Sequence, residues 1–440
     1  MLNIRYIREH ADKIREAIKN KRIQLDLDRL LALDERRREI LTKISQARAR
    51  RKELAKSGKG GRLQPERIEA GKRLKSAIAE LEESGRRIEE DYAALMVKVP
   101  IIPSRDTPVG KDDSENVEVY RWGEPTKFDF PAKSHVELGH ELDLLDLKRG
   151  AKVAGYRGYY VKNEAVALQM GLMMYAMHKL VLRGFLPMIP PTLVREYALF
   201  GSGYFSGRSF DQEVDEIYKV ANRELDEEGR ERKESKFLVG TAEPSLLSYY
   251  SGEVLEEKEL PVKLCGFSQC YRSEIGSHGK DTRGIYRVHE FMKVEQVCIA
   301  KADAEEADRL HGEMVAISKE LHEELELPYR QLAICTGDMS AGKYKMFDLE
   351  AWIPSRNGYG ETGSASNFLD WQSRRLNVKY RTGDGKKRFV YMLNNTAIPS
   401  PRFLIAILEN HQLADGSVAV PKVLRKYIPG NLEIIRKNRR

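Results

Sequence analysis

The chain has 440 residues, with 75 Lys plus Arg against 67 Asp plus Glu (a formal charge of +8), and 41% of its residues are apolar. That length predicts two or three domains with room for a large core, and the composition excludes wholesale disorder. No run approaches the roughly 18 consecutive apolar residues of a membrane span.

The first ten residues carry no secretory apolar run, and Glu9, Asp12 and Glu16 argue against an acid-poor transit peptide. Residues 1 to about 100 then read as almost continuous helix. Positions 30, 33, 37, 40, 44, 47, 51 and 54, and again 71, 74, 78, 81, 85, 88, 92 and 95, step by three and four in the manner of helices packed along a narrow seam. Between them lies the glycine-dense Ser57-Gly-Lys-Gly-Gly-Arg62, and Pro65 suits the first turn of a returning helix. The pattern predicts an antiparallel hairpin of about 30 residues per arm, ~40–45 Å long. Its residues 36–62 are crowded with Lys and Arg. Such a run is either a solvated helix face or an arm for phosphates; Arg37 and Arg51, basic residues on the seam itself, favour the second.

Beyond residue 104, short alternating runs at 237–239, 295–299 and 347–353 predict half-buried strands. Helices are predicted at 164–183, 302–325 and 401–412, and residues 221–235 as an exposed hairpin tip. The fold class is therefore α+β, a mostly antiparallel sheet flanked by helices behind a helical hairpin. Cys265, Cys270, Cys298 and Cys335 form no CxxC pair, so neither a zinc knuckle nor a disulfide framework is expected, and the compartment predicted is the reducing cytoplasm. No glycine-rich phosphate loop ending in Lys-Ser/Thr is present. The richest segment runs from Cys270 to Glu295. A strand with Arg272 and Glu274 leads through a loop with Gly276, Gly279 and Gly284 to a second strand with Arg287, Phe291 and Glu295, placed on one face by the period of two. An arginine, an aromatic and a carboxylate together can hold phosphate, stack a base and accept a donor; a hairpin with surface charges is the plain alternative. His278 and His289 read as loop and strand polar residues.

Arg-x-Glu, a variable loop and Arg-x3-Phe-x3-Glu resemble motif 2 of the class II aminoacyl-tRNA synthetases, and the longer string resembles the seryl-tRNA synthetases in particular. Gly184-Phe185 with Pro191 is similar to the dimer-forming motif 1. Asn394 to Gln412, ending Leu-Glu-Asn-His-Gln, resembles motif 3, while Thr241-Ala242-Glu243 and Glu361-Thr362-Gly363-Ser364 through Asn367 match two further elements of that family. The resemblance implies an N-terminal helical domain over 1–103, with a tRNA-binding coiled-coil arm at about 30–96, and a catalytic domain over 104–440. It implies ATP and Mg²⁺, activation of L-serine to seryl-adenylate, transfer to tRNA(Ser) and, where present, tRNA(Sec), and a homodimer away from membranes.

On this resemblance Arg272 bridges the serine carboxylate and the α-phosphate, a task suited to a planar fork of donors. Arg402 serves the γ-phosphate and one adenine face, Phe291 the other face, and Glu274 the exocyclic amine. Ser273, Val288, Thr362 and Gly363 complete the ATP set, and Glu361 and Ser364 offer oxygens to Mg²⁺. Thr241, Ala242 and Glu243 take the serine ammonium; Glu295 and Thr396 take its hydroxyl. Arg36, Arg37, Lys43, Arg48, Arg51, Lys52, Lys59 and Arg62 would meet tRNA phosphates. Two alternatives stay open from the residues alone: Thr241 as a helix cap, and Glu295 as the ion-pair partner of Lys293 or Arg287. A paralogue serving another acceptor, or a non-catalytic tRNA-binding relative, are the rival functions. Ala397 and Pro401 stand where many members carry glycine, and are expected to restrict a turn.

Overall fold

The computed structural model describes residues 2–56, 65–222, 225–231, 234–275 and 283–437. Lys59, Arg62, Gly276, His278 and Gly279 lie outside the described residues. The chain divides into two compact units, Leu2–Pro100 and the residues from Ile101 onward.

The first unit begins with two short helices, α1 (Ile4–Glu9) and α2 (Ala11–Asn20), followed by the long pair α3 (Leu27–Lys56) and α4 (Pro65–Met96). The long helices have 30 and 32 residues, ~45–48 Å each. Leu30, Leu33 and Ile44 are buried with Ile78, Tyr92 and Met96. The register is antiparallel: Arg37 pairs with Glu89 at 3.3 Å, a Cβ on Gly85 would lie 3.3 Å from Ile40, and Arg48 pairs with Glu82 at 2.7 Å. Arg37 also stacks 4.4 Å from the centre of the Tyr92 ring. Its place on the seam is thus filled by packing its stem and pairing its head, as long basic side chains do. Arg51, the other basic seam position, is exposed, as are Arg36, Lys43, Arg48 and Lys52.

The second unit is built on an eight-stranded sheet: β1 (Val117–Trp122), β2 (Leu186–Met188), β3 (Val262–Tyr271), β4 (Glu290–Ala300), β5 (Tyr329–Ala333), β6 (Lys345–Ile353), β7 (Gly358–Asn367) and β8 (Tyr391–Pro399). The spatial order is β1-β5-β6-β7-β8-β4-β3-β2. Every neighbouring pair is antiparallel except β2 with β3. The fold is α+β, as the alternation predicts.

Five helices matter to the site: α5 (His135–Glu141), α6 (Glu164–Leu182), α7 (Glu243–Ser248), α8 (Ala304–Glu324) and α9 (Ser400–Asn410). Ser134 and Glu137 start α5 with reciprocal side-chain-to-backbone bonds, and Asp303 caps α8. Apolar residues of α6, α8 and α9 close one core with β3, β4 and β8. Helix α6 is long and apolar enough to cross a membrane by composition, yet Leu168, Leu172, Met173 and Leu180 are packed into that core. The described part of 221–235 carries an antiparallel bridge, Leu225 with Glu231.

Two strand irregularities decide which side chains the sheet turns towards one another. On β7, Asp348 of β6 faces Ser364 and Leu349 faces Gly363, but Glu350 faces Glu361, so Thr362 is an extra residue. On β8, Ile398 faces Val294 of β4 while Thr396 faces Glu295, so Ala397 is extra. Each bulge reverses the alternation of side chains beyond it. Ala397 therefore occupies a bulge, and Pro401 the first turn of α9; no residue from 391 to 410 has a positive φ. The restriction expected from these departures is absent, because the segment is strand and helix start rather than a left-handed turn.

Candidate active site

The sheet face beside the end of β3 forms a cleft lined by Arg272, Glu274, Val288, Phe291, Glu361, Thr362, Gly363, Thr396 and Arg402, together with Tyr286, Arg287, Lys293, Pro399 and Pro401. Arg272 and Glu274 follow β3 rather than lying on it, and Arg287 precedes β4. The common face is instead Phe291, Lys293 and Glu295.

Arg272 is held by its backbone: its N–H donates to the His289 carbonyl at 3.0 Å, and His289 Nδ1 donates to its carbonyl at 2.9 Å. The guanidinium carbon lies 5.5 Å from the Phe291 ring centre, and Nε reaches the Gly240 carbonyl at 3.4 Å, next to Thr241. Among the described residues no carboxylate forms an ion pair with it. Its charge is left to face the cleft.

Arg402 donates to the Glu361 carbonyl at 2.9 Å and approaches Glu361 Oε2 at 3.2 Å, with its guanidinium 4.7 Å from the Tyr286 ring centre. Burial raises the pKa of Glu361, but the charge of Arg402 and then of Arg272 outweighs it, so Glu361 lies below the ordinary carboxylate value. Glu274 is buried, with a left-handed φ of 54°, and pairs with Arg157 at 3.4 Å and Arg287 at 3.2 Å. Such a backbone in a non-glycine residue stores strain, and it sits here at a cleft.

Behind Thr396 the site is polar and closed. Thr396 Oγ1 donates to Glu295 Oε2 at 3.1 Å and accepts from Lys293 Nζ at 3.2 Å, while Lys293 and Glu295 pair at 2.6 Å with side chains only 5% and 3% exposed. Glu295 thus has the Lys293 partner that the residues alone allowed, together with the threonine hydroxyl. Glu243 accepts from Tyr204 at 2.7 Å and Gln372 at 2.6 Å. Burial, and then the nearby Glu295 charge, raises the Glu243 pKa. Two carboxylates in this position leave an excess of acceptors. Thr241 Oγ1 accepts from the Glu243 N–H at 3.4 Å, but the N-cap of α7 is Ala242, so Thr241 is not the helix cap that the residues alone allowed. Ala242 is wholly buried among Leu246 and Leu247, so only its backbone can serve a ligand.

Ser273, Ser364, Thr241, Glu243 and Glu295 do not line this cleft directly. Ser273 instead borders a neighbouring hollow with Tyr218 and Ile275. Thr362 turns its hydroxyl inward to His322 at 2.8 Å and the Leu349 carbonyl at 3.0 Å. Sequence reasoning missed Tyr204, Tyr286, Asp348 and Gln372. Tyr286, one residue before Arg287 in the richest segment, had a signal in that segment; Tyr204 and Gln372 reach the site only through tertiary packing. Asp348 lies opposite Ser364, and its Oδ1 is buried with no hydrogen-bond partner. Burial, and then the Glu361 charge, pushes its pKa well up.

An antiparallel sheet carrying an uncommitted arginine, a stacking aromatic and a second arginine on the following helix defines the core of a class II aminoacyl-tRNA synthetase. Residues 218–411 match the family model "tRNA synthetase class II core domain (G, H, P, S and T)", and residues 1–103 match "Seryl-tRNA synthetase N-terminal domain". Serine–tRNA ligases of Rubrobacter xylanophilus and Borreliella afzelii are each 40% identical, aligned over 97% of this chain and 98% of theirs. The crystal structure of seryl-tRNA synthetase from Pyrococcus horikoshii complexed with ATP superposes with a TM-score of 0.88 at 36% identity, covering all of both chains. The chain belongs to the seryl-tRNA synthetase family.

Proposed function

We propose that this chain activates L-serine with ATP to seryl-adenylate and pyrophosphate, then esterifies the 3′ end of tRNA(Ser) and, where present, tRNA(Sec). The observation that carries the reading is Arg272, a guanidinium with no carboxylate partner among the described residues, set between the Thr241 side of the site and Phe291. Attack of a carboxylate on an α-phosphate brings two anions together. A fixed fork of donors can hold both, and helps most where charge builds on the transferring phosphoryl group. No protein base is needed, because the substrate carboxylate is already ionised; positioning supplies much of the rate.

In this reading Phe291 and Arg402 flank adenine, Glu274 meets its amine, and Val288, Gly363 and the Thr362 backbone shape the rest, with Ser273 just outside the cleft lining. Thr241 and Glu243 receive the serine ammonium, where the raised Glu243 pKa marks a site that gains from a cation. Glu295 and Thr396 receive the hydroxyl. Alanine would leave those buried groups unpaired, a mismatch that sites of this type reject by ~10⁴ or more.

Magnesium favours hard oxygens in octahedral array. The bulge at Thr362 turns Glu361 and Ser364 to one face, and the partnerless Asp348 oxygen lies across from Ser364, so the donor set fits a divalent ion. When bound, the ion would supply charge neutralisation on the phosphates.

The exposed basic residues Arg36, Lys43, Arg51 and Lys52 suit phosphates of a tRNA arm, with Arg37 and Arg48 adding charge while they brace the hairpin. Met174, Leu182 and Ile189 are large apolar side chains exposed by 56%, 74% and 82%, the kind of surface a homodimer would cover. The proposed compartment is the cytoplasm.

ATP–pyrophosphate exchange with each of the twenty amino acids tests the first half-reaction: serine alone should drive it, and folded protein without serine-dependent exchange would refute the reading. Deleting residues 30–96 should abolish charging and spare exchange. Equal loss of both would remove the separate role of the arm.

A further inference from the structure

One buried carboxylate ties three distant segments around the nucleotide end of the cleft. Glu409, on α9, is wholly buried. Its Oε1 accepts from the His135 backbone N–H at 2.9 Å, from His135 Nδ1 at 2.7 Å and from the Ser355 hydroxyl at 2.9 Å. Its Oε2 accepts from the Ser355 N–H at 2.9 Å. On the other side of the imidazole, Nε2 accepts from the Ile285 N–H at 3.3 Å. That bond leaves no room for a proton on Nε2, so Nδ1 carries it and gives it to Glu409. The ring is a two-ended connector with one tautomer.

What the connector holds are the residues next door. Ser355 precedes Arg356 and Ile285 precedes Tyr286. The Arg356 guanidinium lies 3.9 Å from the Tyr286 ring centre, and that of Arg402 lies 4.7 Å away. Tyr286 and Arg402 line the cleft; His135 does not. The approach is close: a Cβ on Gly284, whose φ is 75°, would fall 1.9 Å from His135 Nε2. Only glycine lets the chain pass there in this conformation. Ile285 is wholly buried, so its N–H has no water to fall back on.

We infer that His135, oriented by Glu409, is a positioning residue for the nucleotide: it fixes Ile285 and with it Tyr286 between the arginines, so the wall of the ATP site is set before ATP arrives. This rests on the reading of the cleft as the ATP site. No bond is made or broken by His135, and it touches no substrate.

The test compares His135→Asn with His135→Gln in serine-dependent exchange, with thermal unfolding of each. The asparagine amide stands near Nδ1 and can still donate to Glu409, but falls short of Ile285. The glutamine oxygen stands near Nε2 and can accept from Ile285. Expected is a five- to tenfold rise (about one hydrogen bond) in the KM for ATP for the asparagine variant, the KM for serine holding within about twofold, and recovery of most of the ATP affinity in the glutamine variant. Should both substrates weaken together, or glutamine do no better than asparagine, His135 is scaffold alone and the inference falls. Arg356→Ala, an exposed change, covers the case of a variant that does not fold. It should raise the KM for ATP about threefold and leave serine unchanged; an unaltered KM for ATP overturns the inference. Direct calorimetric binding of ATP separates the two levels. Loss of exchange in the wild type with ATP still bound would strike the proposed reaction, whereas equal ATP affinity across the variants would strike the role of His135.

Discussion

The hairpin and the catalytic unit solve the same problem by different means. In the hairpin every partner across the seam is set by one antiparallel register, and polar heads such as Arg48 remain near water while they bridge the helices. In the catalytic unit Lys293, Glu295 and Glu243 are buried, and each is held by groups from strands or helices far apart in the chain. Along the two-helix seam most ionic heads stay hydrated, and the one buried carboxylate of α3, Asp34, is paired with Arg8 and Arg38. A sheet-and-helix core tolerates them only where pairing offsets the lost hydration. The difference teaches where substitutions should act on chemistry and where on stability.

The largest effect is expected at the uncommitted cation. Arg272→Ala should lower exchange by ~10²–10³-fold with little change in the melting temperature, since the side chain braces nothing by an ion pair. A fall in stability matching the fall in rate would move Arg272 from the site into the scaffold and erase the contrast.

A smaller effect separates the units by pH. Burial, opposed by a backbone hydrogen bond to each, lowers the pKa of His311 and His322 to about 4 from the ordinary 6.5. Their native forms therefore take up a proton later than the unfolded chain does. Stability is complete above about pH 6.5 and falls towards pH 4, by about 1 kcal/mol per pH unit for each histidine. All three tryptophans (Trp122, Trp352 and Trp371) belong to the catalytic unit. Urea unfolding followed by their fluorescence should thus show the slope. His311 and His322 both belong to the catalytic unit, so the tryptophan signal reports on the unit that holds them. A flat fluorescence profile over that range would refute the assignment.

The smallest effect is expected on the arm. Arg48→Ala removes an exposed pair with Glu82 and should cost no more than about 1 kcal/mol in denaturant unfolding. A larger loss would mean that ion pairs, rather than Ile44, Ile78 and Tyr92, hold the seam.

Much of this protein was legible in its residues. The step of three and four marked the hairpin, and Pro65 its return, because a helix repeats its face locally. The helices at 164–183, 302–325 and 401–412 correspond to α6, α8 and α9 to within two residues at either end. The residues of the 270–295 segment point to Arg272, Glu274 and Phe291, the family resemblance adds Glu361, Thr396 and Arg402, and the fold gathers all six in one cleft. The period of two places Arg287 on the strand face, but the strand starts at Glu290, and the face is Phe291, Lys293 and Glu295.

Local order along the chain thus determined the helices, the approximate strands and the identity of the charged and aromatic groups, since these depend on neighbours a few residues away. Tertiary structure alone decided which of those groups meet. The extra residues Thr362 and Ala397 turn Glu361 with Ser364, and Thr396 with Glu295, to shared faces. Side-chain parity along a strand is a count that any inserted residue reverses, and whether a residue is inserted depends on the partner strand.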